Sequence, residues 1–178
     1  KSKNLIKQIA KLKDVKFYEG LGSVYDKTQR LRKLSGMMAD EFNLNKEKAE
    51  IAASISKSDL CSDLVNEYPD LQGLLGKYFA LSQGFEEDVS NAVSDHYLPL
   101  GNNSMTSKKP ISYIVAISDK IVTLVGFFLI NEKPTSSKDP FALRRSAIGL
   151  LRTIIDNKLN LKLRNLISYN IKLLEEQG

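Results

Sequence analysis

The stretch Pro134-Thr135-Ser136-Ser137-Lys138-Asp139-Pro140-Phe141-Ala142-Leu143-Arg144-Arg145 joins the two strongest apolar patterns of the chain. Before it, residues 111–130 are almost continuously apolar, and after it apolar residues recur at helical spacing over residues 141–155. Serine and threonine favour turns, so the stretch predicts a loop between two helices. A long buried helix, a polar loop and an amphipathic helix therefore form the centre of the predicted fold.

The end of this stretch has the residue pattern of a helix start. The side chain of Asp139 can accept hydrogen bonds from the free N–H groups of the next turn, and Pro140 is tolerated at the first helical position. A helix that begins here carries Arg144 and Arg145 on its first two turns, close to Lys138. Because a helix N-terminus is partially positive, the sequence predicts a place suited to a phosphate group.

Helical spacing extends outward from this centre over most of the chain, and no long run alternates with a period of two residues. We therefore predict an all-α helical bundle, with one short extended segment at residues 15–18 and a long loop at residues 98–109. The helix after the central loop is expected to turn Ala147, Ile148, Leu151, Ile154 and Ile155 inward, and the last helix Leu163, Leu166, Ile167, Ile171 and Leu174. Further helices are expected over residues 21–42, 49–55, 60–68, 71–83 and 86–97, with Pro69 at the start of the fourth of these.

Composition limits the class of protein. The chain has 178 residues, 42% of them hydrophobic, which is enough for one domain with a real core, and its net charge is +5. A single cysteine allows no intramolecular disulfide, which fits a reducing cytosol. Asp119 and Lys120 lie in the middle of the long apolar segment, where lipid would disfavour them, so we predict a buried helix rather than a membrane span.

Four stretches carry a resemblance to a known family. The chain resembles the beta subunit of bacterial glycyl-tRNA synthetase over roughly residues 15–156. The family usually has glycine where Ser136 stands and an acidic residue near Val122, and serine adopts a positive φ less readily than glycine. The stretches that carry the resemblance, in order, are Leu21-Gly22-Ser23-Val24-Tyr25-Asp26-Lys27, Asp70-Leu71-Gln72-Gly73 with Tyr78, His96-Tyr97-Leu98-Pro99, and Ser137-Lys138-Asp139-Pro140-Phe141-Ala142-Leu143-Arg144-Arg145 after Pro134-Thr135.

The resemblance implies a role in the ATP-dependent attachment of glycine to tRNA-Gly in the cytoplasm. The alpha subunit of such an enzyme activates glycine, and the two subunits form a heterotetramer, so this piece of a larger beta subunit is expected to contribute tRNA binding or domain scaffolding without chemistry of its own. ATP and Mg²⁺ are used by the whole enzyme, and no cofactor is expected here. The implied division is an HD-like helical domain over residues 1–157 and a C-terminal helix over residues 158–178.

The matching region of the family is related to the HD superfamily, whose members bind metal through histidines and aspartates. Here the corresponding positions are Ser58-Asp59 and Asp119, and the histidines are missing. Two carboxylates alone could hold a hard cation such as Mg²⁺ loosely. A metal-dependent HD-type phosphohydrolase is therefore an alternative function. The other interpretation is that Asp59 and Asp119 are buried polar relics paired with Lys57 or Lys120.

The candidate RNA-binding residues are the cations of the central loop and the helix after it: Lys138, Arg144, Arg145 and Arg152. A guanidinium group can bind a phosphate through two hydrogen bonds. The alternative is that one of these arginines pairs with Asp139 or Asp156 to hold the loop, and Arg145 is the one favoured for a structural role.

Other features of the sequence leave the function open. His96 is the only histidine, and it could stack on RNA, or it could be an exposed residue or a C-terminal cap. A third function class is a pure protein-interaction scaffold without RNA affinity. The basic start of the chain is either a contact for RNA or a solvated face. Its lysines are Lys1, Lys3, Lys7, Lys11, Lys13 and Lys16.

Overall fold

Nine α-helices and one short hairpin make up the described part of the chain, residues 4–101 and 103–178 of a computed structural model. Lys1 and Lys3 lie outside these residues. The fold confirms the all-α prediction. The helices are α1 (Leu5–Lys11), α2 (Val24–Glu41), α3 (Lys46–Ile55), α4 (Asp63–Glu67), α5 (Leu74–Ser82), α6 (Glu87–Asp95), α7 (Pro110–Leu129), α8 (Leu143–Asp156) and α9 (Leu163–Glu175), and the hairpin strands are β1 (Lys16–Tyr18) and β2 (Gly22–Ser23).

The hairpin positions the start of α2. Strands β1 and β2 are antiparallel, with Lys16 opposite Ser23. Ser23 then caps α2, because its hydroxyl accepts the N–H of Asp26 at 3.2 Å while the Asp26 carboxylate accepts the N–H of Ser23 at 2.8 Å. The helix that follows packs against α3, which buries the small residues Ala49, Ala52 and Ala53 completely.

Helix α7 is the centre of the molecule, as its apolar sequence predicted. It packs against α2, α3, α6, α8 and α9. Among the described residues it is the one helix long and apolar enough to cross a membrane, but 72% of its most apolar window is buried inside the fold. The prediction of a buried core helix is confirmed. Val122, where the family usually has an acidic residue nearby, is fully buried among apolar neighbours.

The inward faces of α8 and α9 differ from the prediction. Three of the residues expected inside are exposed: Ile148 at 49%, Leu151 at 50% and Ile155 at 70%. Helix α8 instead buries Leu143, Gly149, Leu150 and Thr153. On α9, Leu166 and Leu173 are buried and Ile167 is 41% exposed, while Leu163, Ile171 and Leu174 are half-buried.

Gly149 explains which face of α8 is buried. A Cβ atom at this position would lie 2.9 Å from Cε of Lys120 and 3.3 Å from Cδ of Pro99. The absence of a side chain at Gly149 therefore favours this close approach of α8 to α7 and the loop after α6. Because α8 carries apolar residues on two opposite faces, its periodicity fitted either orientation, and the close contact at Gly149 selects one.

Two helix boundaries in the middle of the chain also differ from the prediction. The predicted helix over residues 60–68 is split into a 3-10 turn (Ser58–Cys61) and α4, which Ser62 caps. Pro69 begins another 3-10 turn (Pro69–Leu71), and the helix proper starts only after Gly73, whose φ is 80°. Helix α9 packs against α2 and α7. The predicted domain boundary after residue 157 stays a prediction.

Candidate functional site

The central loop is closed by its own hydrogen bonds. The N–H of Thr135 donates to the carbonyl of Lys138 at 2.9 Å, and the N–H of Lys138 donates to Oγ1 of Thr135 at 3.2 Å. The left-handed residue of this region is Ala142, with a φ of 54°, and not Ser136. The backbone therefore does not require glycine at Ser136, where the family usually has one.

The start of α8 lies three residues later than predicted. The helix begins at Leu143 rather than Pro140, because the left-handed Ala142 separates Pro140 from the helical residues. Asp139 still caps the helix although it lies four residues before Leu143. Its carboxylate accepts hydrogen bonds from the N–H groups of Leu143 at 2.8 Å and Arg144 at 2.9 Å. These N–H groups are the ones predicted to face a phosphate, so the helix terminus already carries an internal anion.

The cations of the loop differ in whether their side chains form hydrogen bonds or ion pairs within the protein. The guanidinium of Arg144 donates to the carbonyl of Thr135 and so ties α8 to the loop. Lys138 and Arg145 are exposed, and their side chains form no hydrogen bond or ion pair with the described residues. The expectation that Arg145 is the structural arginine is not what the geometry shows, because Arg144 holds the loop and Arg145 points to solvent.

Arg152 lies apart from the central loop and binds a different one. Its Nη1 donates to the carbonyl of Gly101 at 3.0 Å and its Nη2 to the carbonyl of Ser104 at 2.8 Å. Arg152 therefore fixes the loop after α6 on the surface of α8. Its role as an RNA ligand stays a prediction, and the structure does not bring it together with Lys138.

A second group of polar side chains is buried between α2, α7 and the turn before α4. The carboxylate of Asp119 on α7 forms ion pairs with Nζ of Lys27 at 2.9 Å and Nζ of Lys57 at 3.5 Å, and all three side chains are at most 14% exposed. Burial alone would raise the pKa of Asp119, but the two ammonium groups hold it well below its ordinary value. The predicted pairing with Lys57 is present, Lys27 is an additional partner, and Lys120 donates instead to the carbonyl of Leu98 at 2.6 Å.

Asp59 belongs to the same buried group but acts on the backbone. It is fully buried, and its Oδ2 accepts the N–H of Gly73 at 2.6 Å. Burial raises the pKa of Asp59, while this hydrogen bond and the nearby ammonium of Lys57 act in the opposite direction. No cation lies within ion-pair distance of Asp59 among the described residues, and its carboxylate shapes the turn from Pro69 to Gly73.

His96 is the C-cap of α6, which confirms the interpretation of this residue as a C-terminal cap, and its side chain lies in the same buried group. It is fully buried, with Nδ1 2.8 Å from the carbonyl oxygen of Val93 and its ring centroid 3.8 Å from that of Tyr97. Lys57 lies over the other aromatic ring, 4.0 Å from the Tyr97 centroid. Burial holds the pKa of His96 well below its ordinary value. Stacking on RNA and an exposed position are both wrong for His96, because none of the residue reaches the surface.

With this geometry established, we compared the chain with known proteins. A family model described as "Glycyl-tRNA synthetase beta subunit" matches residues 1–178. The chain belongs to the glycyl-tRNA synthetase beta-subunit family. Among its relatives, each named "Glycine--tRNA ligase beta subunit", are those of Colwellia psychrerythraea (43% identity over 97% of this chain and 25% of the relative), Janthinobacterium sp. strain Marseille (38% over 94% and 24%) and Paracoccus denitrificans (46% over 82% and 21%). The chain thus spans about a quarter of the length of these relatives.

In this beta-subunit chain the buried group is arranged as a set of internal contacts. The described residues contain no group of three or more histidine, cysteine, aspartate or glutamate side chains placed to hold a metal ion. A divalent cation at Asp119 would have to displace the ammonium groups of Lys27 and Lys57. Nothing in this arrangement favours the phosphohydrolase alternative.

The sequence analysis did not predict that Lys27 and His96 belong to this buried group. The one signal for them was their position in stretches that resemble the beta-subunit family. Lys27 is the last residue of the stretch that begins at Leu21, and His96 is the first residue of another. Their identities alone did not indicate burial, since lysine is usually exposed and histidine is intermediate.

Proposed function

We propose that this region contributes tRNA binding to glycyl-tRNA synthesis as part of a beta subunit. Membership of the glycyl-tRNA synthetase beta-subunit family supports the proposal. The structural observation on which it rests is the pair of exposed cations at the central loop, Lys138 and Arg145, whose side chains bind no other described residue. A net charge of +5 adds a general attraction for a polyanion.

The loop supplies these cations on a backbone that is already fixed. Arg144 and Asp139 use their side chains to hold the loop and the start of α8. Lys138 and Arg145 then extend into solvent from fixed positions, where a sugar–phosphate backbone can reach both. Because Asp139 already occupies the N–H groups of α8, phosphate would be bound by side chains alone. Such binding is sensitive to salt and reads little sequence.

The remaining parts of the proposal concern the whole enzyme. The partners are tRNA-Gly and a glycyl-tRNA synthetase alpha subunit in a heterotetramer, in the cytoplasm. ATP and Mg²⁺ serve glycine activation elsewhere in that assembly, and this region takes part without catalytic residues or a cofactor of its own. The buried cluster of Asp119, Lys27 and Lys57 supports a structural role for the ancestral HD-type position.

The test compares two double variants with equal loss of charge. Lys138→Ala with Arg145→Ala removes the free cations of the loop, and Lys7→Ala with Lys11→Ala removes two exposed lysines of α1. Binding of labelled tRNA-Gly is measured by fluorescence anisotropy over a range of salt concentrations. We expect the loop variant to bind more weakly and to show a salt slope reduced by about one for each lost phosphate contact.

The α1 variant is the control, because it changes net charge without touching the loop. Equal loss of affinity in both variants would mean that only net charge matters. Loss confined to the α1 variant would place the RNA contact at the basic start of the chain. Either result would overturn the assignment of the loop.

A further inference from the structure

Helix α8 exposes a second apolar face, opposite to the face that it buries. Ile148, Leu151 and Ile155 are 49%, 50% and 70% exposed, and their spacing of three and four residues places them in one stripe. The stripe is about 10 Å long, since Ile148 and Ile155 are separated by seven steps of about 1.5 Å each. Single exposed leucines are ordinary on a surface, but a helical stripe of three large aliphatic side chains is typical of a contact surface.

The loop after α6 adds two more exposed apolar side chains beside this stripe. Leu100 is 69% exposed and Met105 is 78% exposed. Arg152, which lies one turn after Ile148, binds the carbonyls of Gly101 and Ser104 and so brings this loop to α8. We define the α8 face as Leu100, Met105, Ile148, Leu151 and Ile155.

The α8 face is held in place by hydrogen bonds, which ordinary exposed loops lack. Oγ1 of Thr106 donates to the carboxylate of Asp156 at 2.8 Å, and Nζ of Lys108 donates to the carbonyl of Asp156 at 2.6 Å. The amide of Asn157 donates to the carbonyl of Ser107 at 3.0 Å. The loop is therefore fixed to the C-terminal end of α8 with its apolar side chains pointing outward, so a partner would meet a preformed surface at a small entropic cost.

We propose that the α8 face is the docking surface for an amphipathic helix from another part of the beta-subunit polypeptide. The chain covers 25% of the Colwellia psychrerythraea relative, so about three quarters of such a subunit lies outside the region described here. A two-turn apolar stripe is matched by a helix with apolar residues at the same spacing.

The chemistry of the α8 face argues against RNA as its occupant. Ile148, Leu151 and Ile155 have neither the aromatic rings on which bases stack nor the donors that bind phosphate. The face lies on the same helix as Arg145 but does not include it. The inference is therefore independent of the tRNA-binding proposal and can fail or succeed without it.

The test measures thermal stability in two contexts. Leu151→Ser with Ile155→Ser is introduced into the full-length beta subunit that contains this chain and into the 178-residue chain alone, whose core lies within its own helices. We expect the Tm of the full-length subunit to fall by several degrees, while the Tm of the 178-residue chain stays within about one degree. Hydrogen exchange over α8 should be slower in the full-length subunit than in the chain alone. Ile6→Ser, at an isoleucine of α1 that is 60% exposed, is the control in both contexts.

Each other outcome overturns the proposal. An unchanged Tm of the full-length subunit would mean that no segment of that polypeptide docks here. Self-association of the 178-residue chain that Leu151→Ser with Ile155→Ser abolishes would identify a second copy as the occupant. Loss of alpha-subunit association, or of tRNA affinity, without a change in the Tm of the beta subunit would identify a separate partner.

Discussion

At the scale of single residues, the structure depends most on one carboxylate. Asp119 forms ion pairs with two ammonium groups that are almost completely buried, those of Lys27 and Lys57. Replacing Asp119 by asparagine leaves both charges in the interior without a counter-ion, which usually destabilises a protein by about 3–5 kcal/mol. We expect a loss of this size in the free energy of unfolding measured in urea.

An exposed ion pair supplies the matched control for Asp119. Lys46 and Asp40 are 2.6 Å apart, and both side chains are about half exposed. Such surface pairs contribute about 0–1 kcal/mol, so Asp40→Asn is expected to change stability little. Similar losses for Asp119→Asn and Asp40→Asn would contradict the structural role of the buried cluster.

His96 gives the protein a sensitivity to mild acid. Burial holds its pKa well below the ordinary value of 6.5, so below about pH 6.5 the unfolded chain binds a proton that the folded chain does not. The free energy of unfolding must then fall as the pH drops, by at most about 1.4 kcal/mol per pH unit for one group. The stability of His96→Gln should vary less between pH 6.5 and 5 than that of the unmodified chain.

The choice of pH window separates His96 from Asp119. Asp119 also loses stabilising charge in acid, but its ordinary pKa is 3.8 and the ammonium groups of Lys27 and Lys57 outweigh burial and lower the pKa further, so its contribution changes only at lower pH. Urea unfolding at pH 6.5, 5.8 and 5 would measure the difference. Parallel pH curves for His96→Gln and the unmodified chain would show that His96 is not the group responsible.

At the scale of elements, Arg152 connects α8 to the loop of residues 98–109. Arg152→Ala removes the hydrogen bonds to Gly101 and Ser104. We expect amide hydrogen exchange in this loop to speed up at least several-fold, with a loss of stability of about 1–3 kcal/mol. Arg145→Ala on the same helix removes an equal charge from an exposed side chain and should leave the exchange of the loop unchanged. Equal exchange in both variants would mean that Arg152 does not hold the loop.

The start of α8 shows how far local sequence rules reach. Asp139 followed by Pro140 correctly indicated a cap, and its carboxylate does accept two helical N–H groups. The helix nevertheless begins at Leu143, because Ala142 adopts a left-handed conformation that its residue type does not favour. Asp139→Ala should destabilise the chain by about 1 kcal/mol in urea unfolding, and Asp139→Asn by less, since its amide oxygen can still accept one bond.

Helical periodicity predicted which elements form but not which face of α8 is buried. Its pattern of apolar residues fits two opposite faces, and the contact of Gly149 with Lys120 and Pro99 decides between them. That contact joins residues far apart in the sequence, so it could not be predicted without the fold. The long apolar pattern of α7 left a buried core helix or a membrane span, and Asp119 and Lys120 at its centre favoured the core helix.

At the scale of the whole molecule, the all-α architecture, the family and the pairing of Asp119 with Lys57 could be predicted from the sequence, while the other members of the buried cluster could not. Asp59 and Asp119 were recognisable by position, yet Lys27 and His96 join them from two other segments through the packing of α2, α6 and α7. The contact between Lys27 and Asp119 could not be predicted from the sequence, because about ninety residues separate them. The free cations of the loop, Lys138 and Arg145, could by contrast be predicted to lie close together, because both fall within one stretch of eight residues.

Hydrogen exchange of the chain with and without tRNA-Gly, at low salt, tests the central claim most directly. Residues 135–146 contain the loop, the cap and the first turn of α8, and a bound phosphate backbone should slow exchange of their amides. We predict protection there that disappears at physiological salt or above, because the contact is electrostatic. Binding of tRNA-Gly with protection confined to other segments, or no binding at low salt, would contradict the account.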